Sequence, residues 1–548
     1  MRQQVRRILP LSLVVLLFAG GWAALDQYNV TWDEALGDFF FGQRYLSFYT
    51  SLDPAYLDFR GDPYPEGHRP DLRQSPFRFR PWEHYPVGGT LAALTSTVFS
   101  GALGLLDPFD GFHAANLFLA ALLLWVFFRF LEQHFGLLAA TVAVGFLFTA
   151  PRVFCHLMAN VKDFPLMVFY TLTLVVFFRA WEGGSVRGVV AAGALWGISL
   201  GTKANALFLP AVPLGLIVLG GLPAAWKGRR DRVFLALAGA AVAGGLVMVA
   251  VWPYLWGDPV GRLGENLRFL FFRKDSTDPD SLAPVLQAIG LTTPPAFLAC
   301  FAIGLIPCCR MAWRRQREAL LLLVWIVAVL GRYLSPQVVN YDGVRHFLEL
   351  FPAMAAIAGL GVVWLGRLAA ERWPWPTPSR HGVRAAVAVL MLAPSLWALI
   401  ATHPFQIAYW NAFTGGYAGA RQANLAQASD YWGTSYRLGL RWLEANAPPD
   451  ALVAVPVIEH AVRLVAPERL REDLTLLPIT TPYSPRIAPE RLRLTRDAAT
   501  KRPLYVMFVH RTDWMNELMR DCLEQLEPEV EWHLEGAPIL SIYRYALP

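Results

Sequence analysis

Runs of apolar residues recur along the first four hundred positions, separated by short polar breaks. They lie near 8–25, 90–106, 112–131, 136–150, 164–180, 188–202, 204–222, 233–254, 295–309, 318–334, 347–366 and 384–401. An untilted helix needs roughly 20 such residues to cross a bilayer. The pattern therefore predicts an α-helical polytopic membrane protein. Beyond Thr402 the pattern changes. A helix is expected over 435–447, a strand over 451–457 and a helix from Glu459. A strand over 504–510, a capped helix in TDWMNELMRDCLEQL, and strands in VEWHL and ILSIYRY follow. Alternating units of this kind predict a small α/β soluble domain over 403–548, after a transmembrane domain over 1–402.

Arginine and lysine concentrate in three loops, 227–232, 310–317 and 367–384, and at Arg2, Arg6 and Arg7. The positive-inside rule puts all of these in the cytoplasm, which requires an even number of crossings before Lys227. Seven candidates precede it, so one does not cross. The segment 90–106 is rich in Gly, Ser and Thr and runs into Leu106-Asp107-Pro108. It is assigned as a juxtamembrane or re-entrant helix on the outer face. About eleven spans remain, the first an uncleaved N-terminal one, and the C-terminal domain lies outside. The outer face then receives 28–113, 151–165, the turn at 202–205, 252–275 and 335–347, which carry the histidines, acids and aromatics of the loops.

The 55% hydrophobic content, mean hydropathy of +0.36 and 16% charged residues agree with that class. The net charge of +6 is explained by the loop arginines, so no nucleic-acid partner is expected. Five cysteines have neither disulfide nor zinc-ligand spacing. With 43 arginines against five lysines, a GC-rich bacterium and its inner (plasma) membrane are the expected setting.

The stretch NVTWDEALGDFFFGQRY places Asp33 and Glu34 where the chain leaves its first span, among aromatic residues. Acids at that depth are costly unless hydrated, paired or used. Thr31-x-x-Glu34 is also a capping box, a purely structural reading. An enzyme facing outward has no nucleotide-sugar supply, so its donor would be a sugar on a polyprenyl phosphate. Transfer then needs a base for the acceptor's proton and cations for the departing phosphate. Asp33 is the preferred base, with Glu34 orienting it or meeting substrate. The second outer stretch adds His156, Lys162 and Asp163; Asp163 equally fits a helix N-cap. Lys203, at the outer end of a span, is a phosphate ligand or a snorkelling lysine. Arg345 and His346, preceded by Tyr341 and Asp342, pair with phosphate or anchor a helix. His84 and Tyr85 are substrate-binding candidates in the Glu83-His84-Tyr85-Pro86 turn. Trp252, Tyr254 and Trp256 border a lipid groove or form an aromatic belt. A dedicated zinc site is unsupported, and a divalent ion on Asp33, Asp163 or Glu34 is left open.

These features resemble the GT-C glycosyltransferases, in the group containing protein O-mannosyltransferases and lipid A aminoarabinose transferases. The matching stretches are Thr31-Trp32-Asp33-Glu34, His84-Tyr85-Pro86-Val87-Gly88 and Asn160-Val161-Lys162-Asp163-Phe164-Pro165. Arg345-His346-Phe347, His403-Pro404-Phe405-Gln406 with Tyr409 and Asn411, and Asp430-Tyr431-Trp432-Gly433 resemble bacterial members with a C-terminal soluble domain. The resemblance implies a polyprenyl-phosphate sugar donor, inversion at the sugar, and a first-loop acid as catalyst, carried onto Asp33. It implies a second-loop acid, carried onto Asp163, and a phosphate-binding lysine, for which Lys203 is the nearest match. Relatives have a double proline where this chain has His84-Tyr85-Pro86, which leaves the phosphate contact open. The expected partners are membrane lipid, the lipid-linked donor, and a protein, lipid or glycan acceptor. Two rivals stand beside the enzyme: a transporter or flippase for a lipid-linked saccharide, and a scaffold presenting the C-terminal domain.

Overall fold

The computed structural model describes residues 2–57, 82–272, 282–334, 342–372, 377–480 and 484–546. Among them, seven helices are long and apolar enough to cross a membrane: Ile8–Gln27, Pro108–Phe135, Asp163–Glu182, Arg230–Ala250, Pro295–Trp313, Arg345–Arg372 and Arg380–Ala401. Leu137–Thr149 and Pro151–Ala159 make an eighth if the pair, bent by 67° at Ala150, counts as one span. Of the eleven expected spans, seven or eight therefore have full length among the described residues. The runs at 188–202, 204–222 and 318–334 form shorter helices, Val186–Leu200, Ala211–Gly220 and Arg317–Gly331. The stretch 151–165 is not an open loop. Pro151 starts a helix that ends at Ala159, and a tight turn leads into the next span.

Burial sorts the long helices into layers. Asp163–Glu182 has 89% of its apolar window buried and Arg380–Ala401 only 11%. A helix apolar on all sides must meet either protein or lipid. The first kind forms the centre; the second turns Val389, Leu390 and Trp397 outward as a lipid-facing surface. Close helix pairs meet over small residues, as membrane packing requires. A Cβ on Gly304 would lie 1.9 Å from the Ile357 carbonyl, and one on Gly193 would lie 2.2 Å from that of Ala240.

The run predicted as re-entrant is a short helix, Pro86–Ser96, extended by a π-helical Thr97–Ala102. It packs between Phe39–Ser51 and Pro108–Phe135. Glycines set the spacing: a Cβ on Gly42 would lie 2.3 Å from the Gly89 carbonyl, and one on Gly88 would lie 1.8 Å from that of Val161. Pro86–Ser96 thus bears on both acidic stretches at once.

The C-terminal segment carries five strands: β1 (Leu452–Ala454), β2 (Thr475–Leu477), β3 (Leu504–Val509), β4 (Pro528–Leu534) and β5 (Ala537–Arg544). Their order is β2-β1-β3-β5-β4, with β1 parallel to β2 and β3, and β5 antiparallel to β3 and β4. Strand β3 is buried at all six positions, as a central strand with apolar residues on both faces must be. Tyr436–Asn446, Glu459–Arg469 and Glu517–Gln525 match the predicted helices, the last capped by Asn516. The short β2 and the helix Pro489–Ala499 have no counterpart in the sequence-based expectation.

Charge complementarity seats this segment on the helices. Arg469 reaches Asp107 at 2.8 Å and Asp110 at 2.6 Å, Arg437 reaches Asp107 at 3.1 Å, and Arg441 reaches Asp26 at 2.7 Å. Asp107 also caps Pro108–Phe135, accepting from the amides of Phe109 and Asp110. One carboxylate therefore both starts a central span and receives the C-terminal segment.

Candidate active site

After the first span the chain runs extended through Asn29 and Val30, then coils into a turn whose second half, Glu34–Asp38, is π-helical. Glu34 folds back so that its Oε2 accepts the Thr31 amide at 2.9 Å, and His113 Nε2 stands 3.1 Å from the same oxygen. The acid half of the capping box is thus formed; the Thr31 hydroxyl has no hydrogen-bond partner among the described residues. Glu34 is 1% exposed and turned inward. Asp33 points the other way and keeps 21% of its side chain exposed.

Arg345 donates to Asp33 Oδ2, and its other terminal nitrogen lies 3.1 Å from Asp342 Oδ2. The guanidinium sits over the Trp432 ring, 5.0 Å from its centroid. Arg345 is itself held by its chain. The His346 carbonyl accepts from Arg332, from Tyr333 at 3.2 Å and from Asn205 at 2.8 Å. Burial works to raise the Asp33 carboxyl, but the charges of Arg345, Lys162 and Lys203 outweigh it and hold Asp33 well below the usual carboxylate range. Asp33 is therefore a carboxylate at any physiological pH.

Asn160 builds the second acidic stretch. Its Oδ1 accepts from the amides of Lys162 at 3.1 Å and Asp163 at 2.8 Å, closing the turn that starts Asp163–Glu182. The side chain that satisfies the amides at the helix start is thus Asn160, with Lys162 at the N-cap position, and the Asp163 carboxylate is left for other work. It takes Lys203 Nζ on one oxygen and Asn160 Nδ2 at 2.9 Å on the other. Lys203 Nζ is also 3.2 Å from His346 Nδ1. Lys162 Nζ lies 3.1 Å from Asp38. Burial works to lower the Lys162 ammonium, but Asp38, Asp33 and Asp163 outweigh it and raise it above the ordinary lysine range.

Asp33, Lys162, Asp163, Lys203, Arg345 and His346 therefore converge from four separate parts of the chain. His84 borders them: its Nδ1 is 3.4 Å from Asp38, its ring stacks on Phe41 at 4.3 Å, and Gly37 leaves room for it. Tyr85 turns away, bonding Asn266 and leaning on Trp252 at 4.7 Å. It belongs to an aromatic cluster with Phe40, Phe41, Tyr45, Trp252 and Tyr254 that adjoins the charged site. Trp256 lies farther out and is 46% exposed. His156 is fully buried, with Nδ1 on Asn160 and its ring edge-on to Trp432. It braces the Asn160 turn from behind. Tyr341 lies outside the described residues.

Three participants were given no role from the sequence, although Asn160 and Trp432 stand in the stretches that carry the resemblance. Asp38, 6% exposed, is the carboxylate facing Lys162. Asn160 carries the turn. Trp432, from the C-terminal segment, lies beneath Arg345 and bonds Asp342 through Nε1 at 3.3 Å. A divalent ion does not fit this set: Asp33 and Asp163 each already face a cation, and no cluster of three or more metal-ligating side chains occurs among the described residues.

No family model matches the chain, and no curated protein matches it. Among solved structures, ArnT from Cupriavidus metallidurans bound to undecaprenyl phosphate is 16% identical, with a TM-score of 0.48 over 98% of this chain and 97% of that one. The Archaeoglobus fulgidus oligosaccharyltransferase in the apo form is 12% identical, with a TM-score of 0.49 over 91% of this chain and 69% of that one. At these scores the two likenesses carry no argument about residues or activity.

Proposed function

We propose that the protein is an integral-membrane inverting glycosyltransferase that moves a sugar from a polyprenyl-phosphate carrier to an acceptor on the extracytoplasmic face. The observation that carries this reading is a carboxylate, Asp33, that keeps part of its side chain exposed and is held ionised by three cations, Arg345, Lys162 and Lys203. A carboxylate alone is an ordinary loop acid. A carboxylate beside several cations suits a reaction in which a proton leaves one side and an anion departs on the other.

In the proposed step the acceptor O–H donates to Asp33. The acceptor oxygen forms a bond to the sugar's anomeric carbon as the bond from that carbon to the phosphate oxygen breaks. The bonding pair leaves on the phosphate and the proton ends on Asp33. One displacement inverts the anomeric centre. A carboxylate held so acidic is a weak base, so the proton moves late, once the new C–O bond has made the acceptor oxygen positive. Lys162 and Lys203 stand ready for the departing charge, and Arg345 fixes the direction of the base. The aromatic cluster around Trp252 offers an apolar wall beside the phosphate end of the carrier. No step calls for a metal.

The test is incubation of the purified protein with a radiolabelled polyprenyl-phosphate sugar and a membrane extract. The expected result is label in a new species whose anomeric configuration, read by NMR, is opposite to that of the donor. Retained configuration would overturn the single displacement. Bound donor with no label transferred would favour a carrier of lipid-linked saccharide instead.

A further inference from the structure

We propose that Trp432 is a positioning residue for the base: the C-terminal segment carries into the membrane site a rigid aromatic plate that keeps Arg345 on Asp33. The inference rests on the function proposed above and extends it to a residue outside the helices.

The loop that carries the plate is fixed by one carboxylate. Asp430 is fully buried and accepts five hydrogen bonds, from the amides of Trp432 (3.3 Å), Gly433 (2.9 Å) and Ser435 (2.6 Å) and the hydroxyls of Thr434 (3.2 Å) and Ser435 (2.6 Å). The loop then pairs with the chain leading to the base. The Trp32 amide donates to the Trp432 carbonyl at 3.2 Å, and the Asn29 amide donates to that of Thr434 at 2.8 Å. Asp33 follows Trp32 directly, so its backbone position is set by this pairing.

The Trp432 ring fixes the other partner. Its face lies under the Arg345 guanidinium, its Nε1–H donates to Asp342 Oδ2, and Asp342 in turn pairs with Arg345. The ring makes a T-shaped contact with His156, ring centroids 5.2 Å apart. At 2% exposure the ring does not face substrate. A guanidinium over an indole face is attracted by the ring's quadrupole, most strongly where water is excluded. Arg345 holds both acids at once through its two terminal nitrogens; without the plate Asp342 also loses its indole donor, and the guanidinium is free to shift toward Asp342 and off Asp33. Among the described residues, the charged and titratable groups facing Asp33 are Arg345 and Asp342 from the 342–350 stretch, Lys162 from the Asn160 turn, Lys203 from the 200–204 junction, and His460, kept neutral by burial, from Glu459–Arg469. Loss of Arg345 from that set removes the largest of the lowering charges while Lys162 and Lys203 stay, so the Asp33 carboxyl rises back toward the ordinary carboxylate range.

The experiment is carbodiimide labelling of Asp33, which requires a protonated carboxyl, read by peptide mass spectrometry on the full-length protein across mildly acidic pH. Wild type is expected to stay unlabelled. Trp432→Leu should become labelled as pH falls and lose roughly three- to thirty-fold in kcat/KM, the range of a desolvated cation–π contact. Trp432→Phe, which keeps a ring face, should lie near wild type and shows that the site still folds. Labelling of Asp33 at equal extent in all three proteins would overturn the plate, as would a Trp432→Leu protein that remains unlabelled. The labelling readout needs no turnover, so it stands even if the wild type transfers no sugar, an outcome that would defeat the proposed function alone.

Discussion

Glu34 spends its carboxylate on the Thr31 amide, whereas Asp33 spends its own on Arg345. The two acids therefore answer differently to substitution. Glu34→Gln keeps a carbonyl oxygen for the Thr31 amide and loses only the charge. Transfer should fall by no more than about tenfold, roughly the difference between a charge-assisted and a neutral hydrogen bond, which initial rates at saturating donor would check. Lys203 and Asp163 are a buried pair, with side chains 12% and 1% exposed. Lys203→Met leaves Asp163 uncompensated and should cost about 3–5 kcal/mol, read by thermal unfolding in detergent. Adding Asp163→Asn should restore much of the stability and none of the activity. The sequence made most of these residues visible, because acids and lysines at span ends are rare enough to notice. Asp38 was overlooked for a geometric reason. In an α-helix it would lie about 140° around from Asp33; the π-helical turn alters that phase, and no sequence rule predicts such a turn.

At the scale of elements, the site depends on where helices come closest. Gly88 lets Pro86–Ser96 touch the turn that presents Lys162 and Asp163, and the atom a Cβ would strike is backbone. Gly88→Ala should therefore cost about 1–3 kcal/mol through overpacking, and transfer should fall as Lys162 moves from Asp38. Thermal unfolding and initial rates together measure both effects, and an unchanged protein would mean that the contact does not set the site. The hydrophobic pattern located nearly every helix in this region, and the strands and helices of the C-terminal segment followed from alternation and caps. It does not separate full-length spans from the shorter helices at 186–200, 211–220 and 317–331, because composition cannot distinguish a full span from a short helix buried among others. The bend between Leu137–Thr149 and Pro151–Ala159 turned an expected loop into a helix that holds His156 behind Asn160.

Across the whole molecule, arginines of the C-terminal segment meet acids of the helical part, and the site takes residues from both. Burial pushes the Asp107 carboxyl up, and the Arg469 charge more than offsets it, holding Asp107 at about 2. A carboxylate depressed in the folded state stabilises above its unfolded pKa of about 3.9 and loses that contribution as pH falls through the folded value. Seating of the segment should thus be constant at neutral pH and weaken between about pH 4 and pH 2, visible as growing protease sensitivity beyond Thr402. No sequence reading could match Arg469 to Asp107, since their pairing exists only after the chain has folded back. The central claim is that Asp33 takes the acceptor's proton while cations receive the phosphate. Comparing wild type with Asp33→Asn, in both sugar transfer and donor binding, tests it most directly. The account predicts unchanged donor binding with transfer reduced roughly 10²–10⁴-fold, the usual worth of a general base; equal transfer by the two proteins would contradict it.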